Sequence, residues 1–360
     1  MIFYMPTLIY EEPGAVQNHA KELVKFGQRA MVVTGRHSAV ANGSLLDVDA
    51  ALRQAGISYC TYSDIEQNPS VETIMKAREY GIEEEVDFVI GIGGGSPMDS
   101  AKAIALMIRH KDRGADYLYE KGNPVDALPV VAVPTTCGTG SEVTGVSVLT
   151  RHDVETKASI PYAIFPALAL VDPAYLKFAP KTVLHNTACD ALCHLAESYL
   201  NAKASDFSRM CSDAGLSLWA RSLAVLTDER EPTDEDYANL MRTSTIAGMA
   251  IAQTGTAIPH GLSYGLTYDM HIAHGRACGQ YLGGYLAEAP KADRDHILDL
   301  AGLKTLEGYQ KYFETSCGAV DISPEESGRI VQRMLENPAK MATAPFTVDE
   351  AMLRRIAGIG

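Results

Sequence analysis

The sequence predicts two domains: an α/β domain built on a parallel sheet, then an all-α domain. Three observations carry this. The first half of the 360 residues alternates short Val/Ile-rich runs with runs of helical spacing. After about Pro180 the strand-like runs stop and helical periodicity takes over. A glycine-rich turn, "GIGGGSPMDSAKAIA" from Gly91 to Ala105, joins a buried strand to a helix as in a Rossmann-like unit. A chain of this length seldom folds around a single core, and 46% of it is hydrophobic. The turn-rich stretch "VDPAYLKFAPKT" (Val171 to Thr182) holds the boundary.

The elements follow in order. "RAMVVTG" (Arg29 to Gly35) reads as a short buried strand, and "GSLLDVDAALRQAG" (Gly43 to Gly56) as a helix closed by glycine. "ISYCTYSDI" is a strand, and "SVETIMKAREYGI" a helix with Ser70 as its N-cap. "VDFVIGI" and "LPVVAVPTT" are near-continuous apolar runs, which suits parallel strands buried on both faces. In the second half "TACDALCHLAESYLNA", "DFSRMCSDAGLSLWARSLAVL", "DEDYANLMRTSTIAGMAIAQT" and "PEESGRIVQRMLEN" carry helical spacing. No internal repeat or low-complexity segment is found.

Lys and Arg number 31 against 45 Asp and Glu, a formal charge of −14. Such acidity argues against nucleic acid or an anionic membrane as a partner. The opening residues carry no basic segment followed by a sustained apolar one, so no signal peptide is expected. The longest apolar stretch, Ala163 to Val171, is too short to span a bilayer. Seven cysteines without a CxxC suggest reduced thiols and a cytoplasmic protein.

In the glycine turn, Ser96 suits an N-cap, Pro97 the first helical position and Asp99 the acid of a capping box. Gly93, Gly94 and Gly95 let a ligand reach free N–H groups at a helix N-terminus, where the dipole favours phosphate. The run is neither a strict G-x-G-x-x-G nor a Walker loop, and a plain strand–helix turn is the alternative. A second loop, "PTTCGTGSE" (Pro134 to Glu142), also follows a buried strand. The hydroxyls of Thr135, Thr136, Thr139 and Ser141 can line a diphosphate or ribose there. In open α/β sheets ligands sit outside the carboxyl ends of the strands.

Asp190 and His194 of "DALCH" lie four residues apart on one face of a predicted helix. Alone they are an ordinary surface pair. His260 in "IPHGLSY" and His274 in "IAHGRACG" each precede a glycine, which would let backbone approach an ion. One carboxylate with three neutral imidazoles suits Fe2+ or Zn2+. His271 competes for a ligand role and ranks below, as a site wall or proton relay. Cys189 and Cys193 are expected in the core, and Cys137 near the second loop's ligand.

Together, "GGGSPMDSAKAIA", "PTTCGTGSEVT", "DALCHLAESYL" and the two His-Gly sites resemble the iron-containing (group III) alcohol dehydrogenases. The shorter, 1,3-propanediol-dehydrogenase-like members are the nearest in flavour, and the resemblance runs over nearly the whole chain. It implies a dehydroquinate synthase-like architecture with a dinucleotide-binding domain at 1–178, a helical domain at 179–360 and a metal in the cleft between them. It implies Asp190, His194, His260 and His274 as metal ligands. It places Gly93, Gly94, Gly95, Ser96, Asp99, Thr135, Thr136, Thr139 and Lys157 at the cofactor, with Asn68 facing the same cleft. Tyr264 stands where many members carry a histidine, leaving Tyr264 or His271 to deliver a proton. Val146 replaces a cofactor-contacting asparagine, and Cys137 a small residue without a thiol.

The implied reaction passes a hydride between NADP(H) and a small primary alcohol, diol or aldehyde, with a Lewis-acid ion at the substrate oxygen. A homodimer or higher homo-oligomer is expected. The alternatives are a dehydroquinate synthase-like lyase or cyclase, a glycerol-dehydrogenase-like polyol oxidoreductase, and a non-enzymatic nucleotide-binding protein. The lyase would want several cations near the metal. "TGTAIPHGLSYGLTYDMHIAHG" is apolar and aromatic instead, with Arg276 the only cation close by. Leu262, Tyr264, Leu266, Tyr268 and Met270 are expected to line a pocket for a weakly polar substrate. The binding protein would have no use for four metal donors. NADP(H) is expected ahead of NAD(H). Gly35 stands where an NAD site usually holds an acid, and Arg36 and Ser38 can donate to a 2′-phosphate. Fe2+ is expected ahead of Zn2+.

Overall fold

The computed structural model describes residues 2–359. The chain divides into two compact units. One comprises Met5–Thr136 and Gly140–Ala179. The other comprises the N-terminal residues through Tyr4, Cys137–Thr139 and the chain from Pro180 onward.

The first unit contains the strands β1 (Leu8–Glu11), β2 (Arg29–Gly35), β3 (Ser58–Ile65), β4 (Phe88–Gly93), β5 (Val130–Pro134), β6 (Val148–Arg151), β7 (Thr156–Ser159) and β8 (Leu168–Val171). Six form one parallel sheet in the order β1-β8-β5-β4-β2-β3, while β6 and β7 make a separate antiparallel hairpin. Helices α1 (Ser44–Ala55), α2 (Val71–Glu83) and α3 (Gly95–Arg109) supply the crossovers that parallel strands require. The strand sequences explain the layering. In β2, Met31 and Val33 enter the core on one face, and Ala30 and Val32 the core on the other. Side chains alternate with a period of two, so a strand covered on both faces must be apolar at every step. The strands not anticipated, β1, β6, β7 and β8, are each four residues long, too short to carry a pattern of their own.

Three local expectations change at the start of α3. The helix begins at Gly95 after an extended Gly94, so Ser96 is not the cap and Pro97 lies within the first turn. Proline is tolerated there because its missing N–H has no intrahelical partner to lose. Asp99 closes no capping box; it accepts hydrogen bonds from Ser141 Oγ (2.6 Å) and the Val148 N–H (2.9 Å). Ser70 does cap α2, accepting from the Thr73 N–H.

The second unit contains α4 (Lys181–Tyr199), α5 (Asp206–Ala220), α6 (Asp234–Thr254), α7 (Ile258–Asp269), α8 (His274–Glu288), α9 (Lys291–Leu300), α10 (Leu306–Ser316) and α11 (Pro324–Leu335), with shorter helices between and after them. The α4 helix is central, packing against α5, α6, α8 and α10. Trp219 on α5 fixes one of these contacts by donating its indole N–H to the Ala188 carbonyl at 2.9 Å. The predicted helix over 206–226 breaks after Ala220 and resumes as the short helix Leu223–Leu226. Among the described residues no helix is long and apolar enough to cross a membrane.

The start of α6 carries a capping box between Thr233 and Asp236. Arg230 forks onto both Asp236 oxygens at 2.6 and 2.7 Å. That pairing, reinforced by Thr233 against the upward push of burial, holds the Asp236 carboxyl well below the usual carboxylate range. Removing the side chain as Asp236→Ala should cost about 1–2 kcal/mol at neutral pH. The folded-state pKa is depressed, so the stabilisation is fully present above the unfolded-state value of about 4 and is lost as pH falls through the folded value. Urea denaturation of both proteins should give a constant gap at neutral pH that closes toward acid pH. A gap that grows with acidity would contradict the assignment.

Candidate active site

The helical unit holds a cluster of carboxylate and imidazole groups, buried except at His274. Asp190 and His194 lie one turn apart on α4, His260 lies in the first turn of α7, and His274 opens α8. From Asp190 Oδ1 the Nε2 atoms of His260, His274 and His194 stand at 3.5, 3.8 and 4.0 Å. The His194 and His260 rings stack at 4.6 Å, and His274 meets His260 edge-on at 5.2 Å. The sequence-predicted quartet is therefore brought together in space.

Other groups orient the rings. His194 Nδ1 lies 3.1 Å from the Gly138 carbonyl, and His260 Nδ1 lies 2.5 Å from Glu197 Oε1. A carbonyl and a carboxylate can only accept, so each Nδ1 carries a proton and each Nε2 is turned toward Asp190. Glu197 is fully buried and also accepts from the Ala257 N–H just before α7. Burial pushes the Asp190 carboxyl up, but the imidazoles of His194, His274 and His260 outweigh it and hold it well below the usual range. Burial, with the neighbouring His260, depresses the His194 imidazole despite Asp190. Asp190 Oδ1 and His260 Nε2 are both buried and make no hydrogen bond. Unsatisfied buried polar atoms of this kind are costly and call for a partner.

Close packing sets the geometry. A Cβ on Gly275 would fall 1.8 Å from the Asn186 carbonyl oxygen and 3.0 Å from Asp190 Cβ. The glycine after His274 thus lets α8 approach α4. A Cβ on Gly261 would meet Met334 Sδ at 2.8 Å, so that glycine also serves helix packing and not approach to an ion. The sequence reading missed two residues. Glu197 follows Asp190 by seven positions on the same helix face, a spacing that could have revealed it. Cys278 follows His274 by one turn, and its sulfur lies 3.8 Å from His274 Nε2.

Other sequence-expected residues stand as follows. Leu262 and Leu266 are fully buried and pack the core, whereas Tyr264, Tyr268 and Met270 are partly exposed. Neither the Tyr264 hydroxyl nor the exposed His271 ring is hydrogen-bonded to the cluster, and His271 sits in left-handed backbone at φ 55°. Arg276 is engaged by the Gly318 and Ala319 carbonyls at 2.9 and 2.7 Å. Cys137 is buried against α4, its sulfur 3.3 Å from Thr187 Oγ1, and burial pushes its thiol up to about 11. Cys189 and Cys193 are fully buried, as expected of core residues.

In the α/β unit the glycine turn and the start of the threonine loop lie side by side. The Thr135 N–H donates to the Gly93 carbonyl at 2.9 Å, and a Cβ on Gly94 would stand 3.0 Å from Thr136 Oγ1. Gly93 has φ 146°, which disfavours any side chain. Asn68, Ser96 and Lys157 also come together. Lys157 Nζ donates to Asn68 Oδ1 at 2.7 Å, and the Asn68 N–H donates to Ser96 Oγ at 3.2 Å. Ser141 and Asp99 are engaged with each other, and the buried Lys102 donates to Ser141 Oγ (2.6 Å) and the Val146 carbonyl (2.8 Å). They brace the turn. Lys102, three residues after Asp99, went unremarked in the sequence. Gly35, Arg36 and Ser38 lie at the end of β2, and Arg36 Nε pairs with Asp64 Oδ1 at 2.5 Å. Asp64, on the neighbouring β3, places an acid beside the end of β2 that the residues of β2 themselves do not supply.

Residues 6–173 match the family model described as iron-containing alcohol dehydrogenase, and residues 185–307 match that of the family's C-terminal region. Over 292 residues the chain is 34% identical to long-chain-alcohol dehydrogenase 1 of Geobacillus thermodenitrificans, covering 79% of this chain and 73% of that one. The chain belongs to the iron-containing alcohol dehydrogenase family. An iron-containing alcohol dehydrogenase from Thermotoga maritima superimposes with a TM-score of 0.91 at 34% identity, over 99% of this chain and 98% of that one. The sulfoacetaldehyde reductase of Bifidobacterium kashiwanohense, solved with NAD+, shares the fold at a TM-score of 0.87 and 24% identity, over 99% and 97% of the two chains.

In a family named for its metal, the orientation of His260 by Glu197 has a measurable consequence. Glu197→Gln removes the charge that holds the Nδ1 proton, and should weaken divalent-ion binding by about ten- to a hundredfold. Equilibrium dialysis against Zn2+ checks it; unchanged affinity would show that Glu197 only fills space.

Proposed function

We propose that this alcohol dehydrogenase is metal-dependent and exchanges a hydride between NADP(H) and a small primary alcohol, diol or aldehyde. The observation that carries the metal is the pair of orphaned buried atoms, Asp190 Oδ1 and His260 Nε2, facing each other at 3.5 Å. Asp190, His194, His260 and His274 are the ligands in this reading, for Fe2+ ahead of Zn2+. When bound, such an ion supplies Lewis-acid polarisation of the substrate oxygen. Asp190 contributes the negative charge, and Glu197 and the Gly138 carbonyl keep two imidazoles aimed. Tyr264, one turn after His260, is the proton carrier ahead of the exposed His271.

Gly93, Gly94 and Gly95 with Thr135, Thr136 and Thr139 would bind the diphosphate at the start of α3. Asn68, Ser96 and Lys157 would position the remainder of the nucleotide, with Asp99 and Ser141 holding the turn. Arg276 is committed to carbonyls, which leaves the half-buried Tyr264, Tyr268 and Met270 to favour a weakly polar substrate. The name of the Geobacillus relative favours a second reading, a long-chain alcohol. A chain-length series of aldehydes decides between them, and a carboxylated or phosphorylated substrate used best would overturn both.

His260→Ala or His274→Ala should cut metal content and turnover by orders of magnitude. Stoichiometric metal with normal turnover in either variant removes that residue from the site. The choice of NADP(H) rests on Gly35, which puts no carboxylate at the end of β2, and on Arg36 as a phosphate donor. Asp64 favours NAD(H) instead, because its carboxylate beside Arg36 would repel a 2′-phosphate. With one aldehyde, NADPH should give the higher kcat/KM, and Gly35→Asp should move the preference toward NADH. About tenfold better use of NADH by the unmutated protein would reverse the assignment.

A further inference from the structure

We infer that Cys278 is a thiolate ligand of the same centre, giving this chain a mixed Asp/His/Cys donor set. The inference rests on the metal-centre reading above. It starts from which atoms are mutually close. The donor atoms that all lie within 4.8 Å of one another belong to Asp190, His260, His274 and Cys278, a set that includes the cysteine and leaves out His194. The Cys278 sulfur is 3.8 and 3.9 Å from the two ring nitrogens of His274. It is fully buried, beside the orphaned Asp190 Oδ1 and His260 Nε2.

The packing of α8 on α4 puts the sulfur there. His274 and Cys278 are one turn apart and project from the same face of α8. Gly275 and Gly279 repeat that spacing. Their Cβ atoms would meet the Asn186 carbonyl at 1.8 Å and Cys189 Sγ at 2.5 Å. Two glycines on the contact face let α8 come close enough for a short side chain at 278 to reach the donor cluster. A serine or alanine at 278 would fill the same space without a soft donor. On binding the ion, the Sγ–H proton leaves to solvent and the sulfur lone pair forms the bond. A thiolate shifts the preference of a carboxylate–imidazole site away from Mn2+ and Mg2+ and toward Fe2+, Co2+ and Zn2+.

The test strips the full chain with a chelator and reloads it with Co2+. The wild-type protein should show visible ligand-field bands together with a near-ultraviolet thiolate-to-Co2+ charge-transfer band. Cys278→Ser should keep the ligand-field bands and lose the charge-transfer band. In competition dialysis, its preference for Zn2+ over Mn2+ should fall by about tenfold or more. Ligand-field bands with no charge-transfer band in the wild type would overturn ligation by Cys278 and leave the Asp/His centre standing. A charge-transfer band that persists in Cys278→Ser would overturn it by pointing to another cysteine. No uptake of Co2+ or Zn2+ by the wild type would overturn the centre itself and this inference with it.

Discussion

The helical unit is organised around one buried charge. Asp190 is 2% exposed, and its ionised form would be untenable there without compensation. Three imidazoles surround it, each delivered by a different stretch of chain: one turn along α4, the first turn of α7 and the first residue of α8. The compensation is electrostatic without being complete, because Oδ1 has no donor. Glu197 adds a second buried carboxylate behind His260, which increases the demand for positive charge at the same spot. A protein optimised for stability alone would replace such an arrangement with hydrocarbon. Its presence in the middle of a well-packed helix bundle supports the metal-dependent reading.

How legible this was depends on how local each signal is. The parallel sheet could be read because strands covered on both faces are apolar at every position, and β2, β4 and β5 are long enough to display it. The short strands β1, β6, β7 and β8 are defined by their partners and not by their own patterns. Asp190 and His194 could be paired from spacing alone. His260 and His274 were chosen by residue type and by the glycine after each. The glycines proved informative for another reason: Gly275 marks where two helices nearly touch. Cys278 could not be ranked from sequence, since a cysteine one turn after a histidine is an ordinary core residue until a third element brings a carboxylate to it. The assignment of Asp99 to a capping box failed for a related reason. Its two short hydrogen bonds come from Ser141 and the Val148 N–H, more than forty residues downstream.

In the α/β unit the corresponding constraint is the bare backbone at the end of β4. An acidic chain of net charge −14 offers no general attraction to an anion, so any phosphate must be held by local donors. The turn at Gly93–Gly95 supplies N–H groups at a helix N-terminus. Its shape is fixed from below by Lys102, whose ammonium, pushed down by burial, is spent on Ser141 Oγ and the Val146 carbonyl and not on a ligand. The division of labour is between a buried cation that braces and exposed donors that remain able to change partners.

Arg36 belongs to the second kind. Its bond to Asp64 joins two exposed side chains at the ends of adjacent strands, β2 and β3. Solvent and salt screen such a pair, and holding two long side chains in one geometry opposes it. A phosphate carries more charge and more acceptor oxygens than the carboxylate it would displace. In the NADP(H) reading, Arg36 would exchange Asp64 for the 2′-phosphate. That exchange would leave Asp64 without its cation beside a new anion, and the repulsion would limit how strongly the end of β2 could favour a phosphorylated ribose. Gly35 matters in this balance because it adds no further carboxylate, and the free space above it, with only the Ile65 carbonyl at 3.5 Å from an added Cβ, keeps the approach open.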